Sequence, residues 1–200
     1  MAWRFPAEGR LLAGKLAAYT NRADVIVLGL PRGGVQVAYE VARALNAPLD
    51  VFIVRKLGVP GHEEFAMGAI ATGGVRVLND QTVRALRISD HVIEAVAAKE
   101  QQELERRTRL YRADGLPPDL RGKTVILVDD GLATGATMLA AVKALRQQQA
   151  GRIVVAVPIA SPETCEQLRK ALRLLPSRRI GPTPTASTAT CTPRVTTFLP

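Results

Sequence analysis

The chain has 200 residues, of which 47% are hydrophobic, 22% charged and 4% aromatic. That length and balance fit one compact domain with a full apolar core and exclude wholesale disorder. No run is long enough to span a membrane, and two cysteines, Cys165 and Cys191, make neither a disulfide framework nor a metal-ligand pattern, so a reducing cytoplasm is expected.

Charge is the unusual total: 27 Lys and Arg against 18 Asp and Glu give a net +9. The excess is uneven, because Lys170, Arg173, Arg178, Arg179 and Arg194 end the chain with no acid among them. The remainder is only mildly basic, which suits a phosphorylated small molecule. A nucleic-acid partner is disfavoured, since its footprint is usually a dense basic stripe on one folded element. Trp3, Phe5 and Phe65 provide no aromatic series for stacking bases.

In chain order, Asp24-Val-Ile-Val-Leu-Gly-Leu30 is continuous and β-branched, as in a parallel strand buried on both faces. Val35, Val37, Ala38, Val41, Ala42 and Leu45 recur at helical spacing. Leu49 to Val54 is a second expected buried strand, and Val75 to Leu78 a short one. Residues 90–112 are expected to be a long charged helix, with Glu103/Arg107 and Glu105/Arg109 as i,i+4 pairs, closed by Pro117-Pro118. Lys123–Val128 and Arg152–Val157 are two more buried strands; helices are expected over 136–149 and from Pro162 to about Leu174. The alternation argues for an α/β fold: a parallel β-sheet flanked by helices on both faces. That domain is assigned to residues 1–175. Residues 176–200, rich in Pro, Thr and Arg, show no periodicity and are expected to be an irregular C-terminal tail, disordered or aberrant.

Ligands of such sheets bind at the carboxyl ends of the strands, and three ends carry chemistry. Val125-Ile-Leu-Val-Asp129-Asp130-Gly131-Leu132-Ala133-Thr134-Gly135-Ala136-Thr137 delivers two carboxylates to a strand end, then a Gly/Thr turn, then a helix. Backbone N–H groups at a helix start cradle a phosphate, while adjacent carboxylates accept from vicinal hydroxyls, so the pattern suits a sugar phosphate. It is not a Walker loop, because position 136 is Ala where Lys is required. An ordinary strand–turn–helix capped by Asp accounts for one of the two acids but not the second. Leu28-Gly29-Leu30-Pro31-Arg32-Gly33-Gly34 is a second anion-ready turn whose glycine spacing does not match a dinucleotide-binding fingerprint. Val54-Arg55-Lys56, ahead of Gly58-Val-Pro60-Gly61-His62-Glu63-Glu64, places two bases at a third strand end; an isolated pair of that kind is ordinarily solvated surface. His62 and His91 are kept out of the catalytic set, as lone histidines of this kind are usually solvated.

The first stretch closely resembles the phosphoribosyl-pyrophosphate (PRPP) motif of type I phosphoribosyltransferases. Residues 24–78, with Pro31-Arg-Gly-Gly34 and Arg55-Lys-Leu-Gly-Val-Pro-Gly61, are similar to a bacterial phosphoribosyltransferase-like group. The resemblance covers roughly residues 10–170. It implies that Asp129 and Asp130 contact the ribose 2′ and 3′ hydroxyls and that Ala133, Thr134, Gly135, Ala136 and Thr137 hold the 5′-phosphate. Arg32, Gly33 and Gly34 would meet the pyrophosphate; Asp129 and Asp130 with Arg55 and Lys56 make up the implied catalytic set, the last two as basic side chains on or near a mobile loop that reach the pyrophosphate.

The implied activity is Mg²⁺-dependent transfer of the phosphoribosyl group from PRPP to a small nitrogenous acceptor, with no dedicated metal cage. The alternatives are a PRPP-responsive regulator that uses the same pocket as a sensor without turnover, as some relatives of that fold regulate transcription by binding RNA or DNA, and a degenerate domain without activity. Dimers are common in that family, so a homodimer is compatible with the resemblance. Two departures stand out. Purine-salvage relatives usually carry an acid where this chain has Ala133, and the bacterial group continues with a strand and an aromatic, acidic segment where this chain has its Pro/Thr/Arg tail. A shifted reading frame would produce so abrupt a change; translation of the coding DNA in the other two frames tests that hypothesis, and finding no family-like continuation there would sink it.

Overall fold

The computed structural model describes residues 5–112, 116–174, 190–192 and 195–198. A six-stranded sheet runs in the order β2-β1-β6-β7-β9-β8, formed by β1 (Val25–Gly29), β2 (Leu49–Val51), β6 (Thr124–Val128), β7 (Arg152–Val157), β8 (Thr190–Thr192) and β9 (Val195–Phe198). The first four strands in that order are mutually parallel; β9 joins β7 antiparallel and β8 pairs with β9. A separate antiparallel sheet holds β3 (Val54–Val59), β4 (His62–Ala71) and β5 (Val75–Leu78).

The buried strands divide their side chains between two layers, as the period of two requires. Ile26, Leu28, Val125, Leu127, Ile153 and Val155 meet Met138, Ala141 and Leu145 of α5 (Ala136–Gln147) and Leu168 of α6 (Pro162–Leu174). Val25, Val27, Ile126, Val128 and Val154 face the other way, onto Leu12 of α1 (Phe5–Lys15) and Val37, Val41 and Leu45 of α2 (Gly33–Leu45). Coverage of both faces explains why these strands read as unbroken apolar runs. The small sheet has its own core, where Leu57, Met67 and Ile70 pack on Ile93, Ala97 and Leu104 of α4 (Asp90–Tyr111). A short helix, α3 (Asp80–Ala85), precedes α4.

Two expectations need correction. The 49–54 stretch is not one buried strand: β2 stops at Val51 on the sheet edge, with Leu49 36% exposed, and Val54 already begins the other sheet. The Gly/Pro segment after Lys56 is no open loop but a hairpin, in which Gly61, at φ +79°, turns the chain so that Val59 pairs with His62. Most of the 176–200 segment lies outside the described residues. Its described parts are the two short strands β8 and β9, so this stretch adds to the sheet edge.

Candidate active site

The strand order places the site. From β1 the chain moves outward to β2, and from β6 it moves in the opposite direction to β7, so the turns leaving β1 and β6 diverge from neighbouring strand ends. That divergence opens a crevice at the carboxyl ends, the topological switch point where open α/β sheets bind ligands. The Leu30 N–H donates to the Val128 carbonyl at 2.9 Å and holds the two turns side by side.

Asp129 and Asp130 leave β6 against the glycines that open α2. A Cβ added at Gly33 would lie 1.9 Å from Asp130 Oδ2, and one at Gly34 would lie 2.8 Å from Asp129 Cα. No side chain fits between the two turns, which is why this position carries paired glycines. The Pro31–Arg32 peptide is cis, and Arg32 is exposed.

Asp129 is half-buried, and its Oδ1 accepts from the Asp130 N–H at 2.9 Å. Burial pushes its carboxyl well above the ordinary range, to about 7, with the neighbouring Asp130 carboxyl adding to the rise and the Asp130 N–H opposing it. Proximity of two acids in a crevice favours a ligand that supplies hydroxyl donors or a cation.

The following turn is open. Ala133, Thr134, Ala136 and Thr137 are exposed, and Gly135 adopts the left-handed conformation, φ +71°, just before α5. The chain thereby reverses into a helix whose positive end faces the crevice, as anion-binding turns do.

Support comes from the segment after β7, which the sequence reading did not single out. Leu132 N–H donates to the Ile159 carbonyl at 3.0 Å, and the Thr164 hydroxyl, buried at the start of α6, donates to the Ala133 carbonyl at 2.9 Å. Ser161 caps α6, accepting from Thr164 N–H at 3.0 Å, and its hydroxyl donates to Thr164 Oγ1 at 2.9 Å. The Ser161-Pro162 pair at a helix start was the available signal.

The structure therefore brings Asp129, Asp130, Gly33 and Gly34 into contact distance, and of the remaining expected site residues Arg32 and Thr137 share the wall of one cavity. Arg55 is directed elsewhere. Its guanidinium pairs with Glu100 of α4 at 2.6 Å through Nη2 and 2.7 Å through Nε, and both side chains are largely covered. Lys56 is exposed on β3. A cleft of about 290 Å³ continues from the crevice, bounded by Leu30, Pro31 and Arg32, by Ile53 and Val54, by Thr137, and by the last turns of α4.

The family model of the phosphoribosyl transferase domain matches residues 5–178. The chain belongs to the phosphoribosyl transferase family. Proteins from two strains of Mycobacterium tuberculosis, provisionally named as phosphoribosyl transferases, are 52% identical over 153 residues, which is 76% of this chain and 34% of theirs. The chain thus spans about a third of the length of these curated relatives. The crystal structure of TT1426 from Thermus thermophilus superposes with a TM-score of 0.72 at 46% identity, covering 82% of this chain and 78% of that one. In this phosphoribosyl transferase domain, the family match ends at residue 178 and leaves the β8–β9 segment beyond it.

Proposed function

We propose that this phosphoribosyl transferase domain transfers the 5-phosphoribosyl group of PRPP to a small nitrogenous acceptor and releases pyrophosphate. The observation that carries the reading is the switch-point crevice, where an acid pair packs on a glycine pair and a left-handed Gly135 opens α5 beside them. Asp129 and Asp130 would accept from the ribose hydroxyls, while the 133–137 turn would bind the 5′-phosphate through backbone N–H groups and the Thr134 and Thr137 hydroxyls. Fixing the ribose at both ends sets its C1 in line between leaving group and acceptor, the positioning that such a displacement chiefly needs. Charge develops on the departing pyrophosphate, and cationic side chains around the crevice would stabilise it there.

The donor set fits Mg²⁺. Asp129 and Asp130 would supply hard oxygen ligands of the kind Mg²⁺ takes, an ion that usually keeps several waters and ligand oxygens. When bound, the ion would neutralise part of the pyrophosphate charge.

PRPP with Mg²⁺ is expected to raise the melting temperature, and the paired Asp129→Asn and Asp130→Asn substitutions to abolish most of that shift. Pyrophosphate release, measured against a panel of nucleobases and small amines, is expected with one acceptor class. PRPP binding without release, together with salt-sensitive RNA retention, would instead support a regulatory protein. An unchanged melting curve at millimolar PRPP would contradict both readings.

A further inference from the structure

The cleft beside the crevice has a cationic wall drawn from an unexpected element. Arg106 and Arg107 face it from α4, together with Leu110 and Tyr111 one turn further on, so that two i,i+4 pairs form one continuous helix stripe. Across the cleft stands Arg32, on the turn that packs against the acid pair, and Thr137, from the first turn of α5, closes the side nearest the proposed phosphate turn. Three arginines therefore border one cavity, and among the described residues no Asp or Glu lines it.

Both α4 arginines are held in place by one carboxylate, Arg106 through the Nε–Nη2 edge of its guanidinium and Arg107 through Nε alone. Glu103, one turn earlier, accepts from Arg106 at 2.7 Å (Nε) and 3.0 Å (Nη2) and from Arg107 at 2.7 Å (Nε). Among the described residues the two terminal nitrogens of Arg107 have no hydrogen-bond partner. Both side chains remain open to solvent, at 63% and 43% exposure. A carboxylate behind a pair of guanidinium groups fixes their direction while leaving a net positive charge toward the cavity, and planar forks of this kind bind phosphate oxygens in bidentate fashion.

By contrast, the bases that the sequence marked for the leaving group do not stand here. Arg55 is committed to Glu100, and neither it nor Lys56 is among the residues that wall the cleft. We propose that in this chain Arg106 and Arg107 of α4, with Arg32 opposite, form the seat of the pyrophosphate group. This assignment rests on the reading of the crevice as a PRPP site, because it supplies the cations that the ribose phosphate end lacks. It also couples the second core to the first: α4 is anchored on the small sheet, so the seat is built where the two packed units meet.

Calorimetric titration with pyrophosphate and, separately, with ribose 5-phosphate distinguishes this proposal from the reading beneath it. The Arg106→Gln/Arg107→Gln protein is expected to bind pyrophosphate weaker by roughly tenfold or more, as lost charge-assisted hydrogen bonds imply, with ribose 5-phosphate affinity unchanged. The Arg106→Lys/Arg107→Lys protein, which keeps charge but not the fork, should recover part of the loss. Pyrophosphate affinity equal to the unmodified protein's in the Gln variant, with ribose 5-phosphate still bound, would overturn the seat and leave the PRPP site standing. Failure of the unmodified protein to bind either ligand would overturn both.

Discussion

Asp129 carries two demands that conflict in the ligand-free protein. It must end a strand whose five residues are all buried, and it must also offer a carboxylate to the crevice. Burial is the largest influence on it, and the carboxyl accordingly titrates near 7 rather than just under 4. Between those values the folded chain holds a proton that the unfolded chain has lost. Stability contributed by the protonated form is therefore fully present below about pH 4 and is lost as pH rises through about 7. The melting temperature of the ligand-free protein is expected to fall across that window, and Asp129→Asn, which keeps the shape without the charge, is expected to flatten this part of the profile. Scanning calorimetry in buffers from about pH 4 to 8 checks it. A profile equally steep in the Asn protein would place the dependence on another group.

At the scale of elements, the acid turn depends on the one that follows β7. Thr164 relays a chain of hydroxyl bonds, from Ser161 Oγ to Thr164 Oγ1 to the Ala133 carbonyl, and thereby ties α6 to the turn before α5. Thr164→Val keeps the volume and removes both bonds. It is expected to cost about 1–2 kcal/mol, a fall of about 2–8 °C in melting temperature for a chain this size, and to weaken ribose 5-phosphate binding several-fold. Thermal denaturation and calorimetry on the same preparation read the two effects. The contrast with Asp129 shows what a sequence exposes and what it hides. Asp129-Asp130 and Gly33-Gly34 are short local patterns with one chemical meaning each, and the runs flanking them are apolar because both faces are covered, so strands β1, β6 and β7 and helices α2, α4, α5 and α6 are legible. Thr164 is one threonine among many until the fold sets it under Ala133. The β3–β4 hairpin was hidden for another reason: Gly58, Pro60 and Gly61 break the alternation that marks a strand, and its apolar face is buried against α4, whose own charged pattern points to solvent. Arg55 looked available because its partner, Glu100, lies 45 residues away.

For the whole molecule, the segment beyond the family match has a structural part to play. β9 pairs with β7 through Val155–Phe198, Ala156–Thr197 and Val157–Thr196. Those β7 residues are almost fully buried, and their strand runs directly into the 158–161 stretch that braces Leu132 and, through Ser161 and Thr164, Ala133. Without β9, the outer backbone groups of β7 become a bare edge, which invites pairing between copies. Three residue pairs with backbone bonds worth about 1 kcal/mol each amount to a few kcal/mol, so a protein ending at residue 175 is expected to melt roughly 5–10 °C lower. It is also expected to scatter more light at equal concentration and to bind ribose 5-phosphate more weakly, because the brace of the acid turn loosens with its strand. Replacing Thr196 with Pro, which sits opposite Val157 and removes one backbone donor, should reproduce part of each effect with the chain otherwise whole. If the shortened protein melted at the same temperature as the full chain and stayed monodisperse, β7 would have no need of β9, and the sheet would end functionally at its fourth strand.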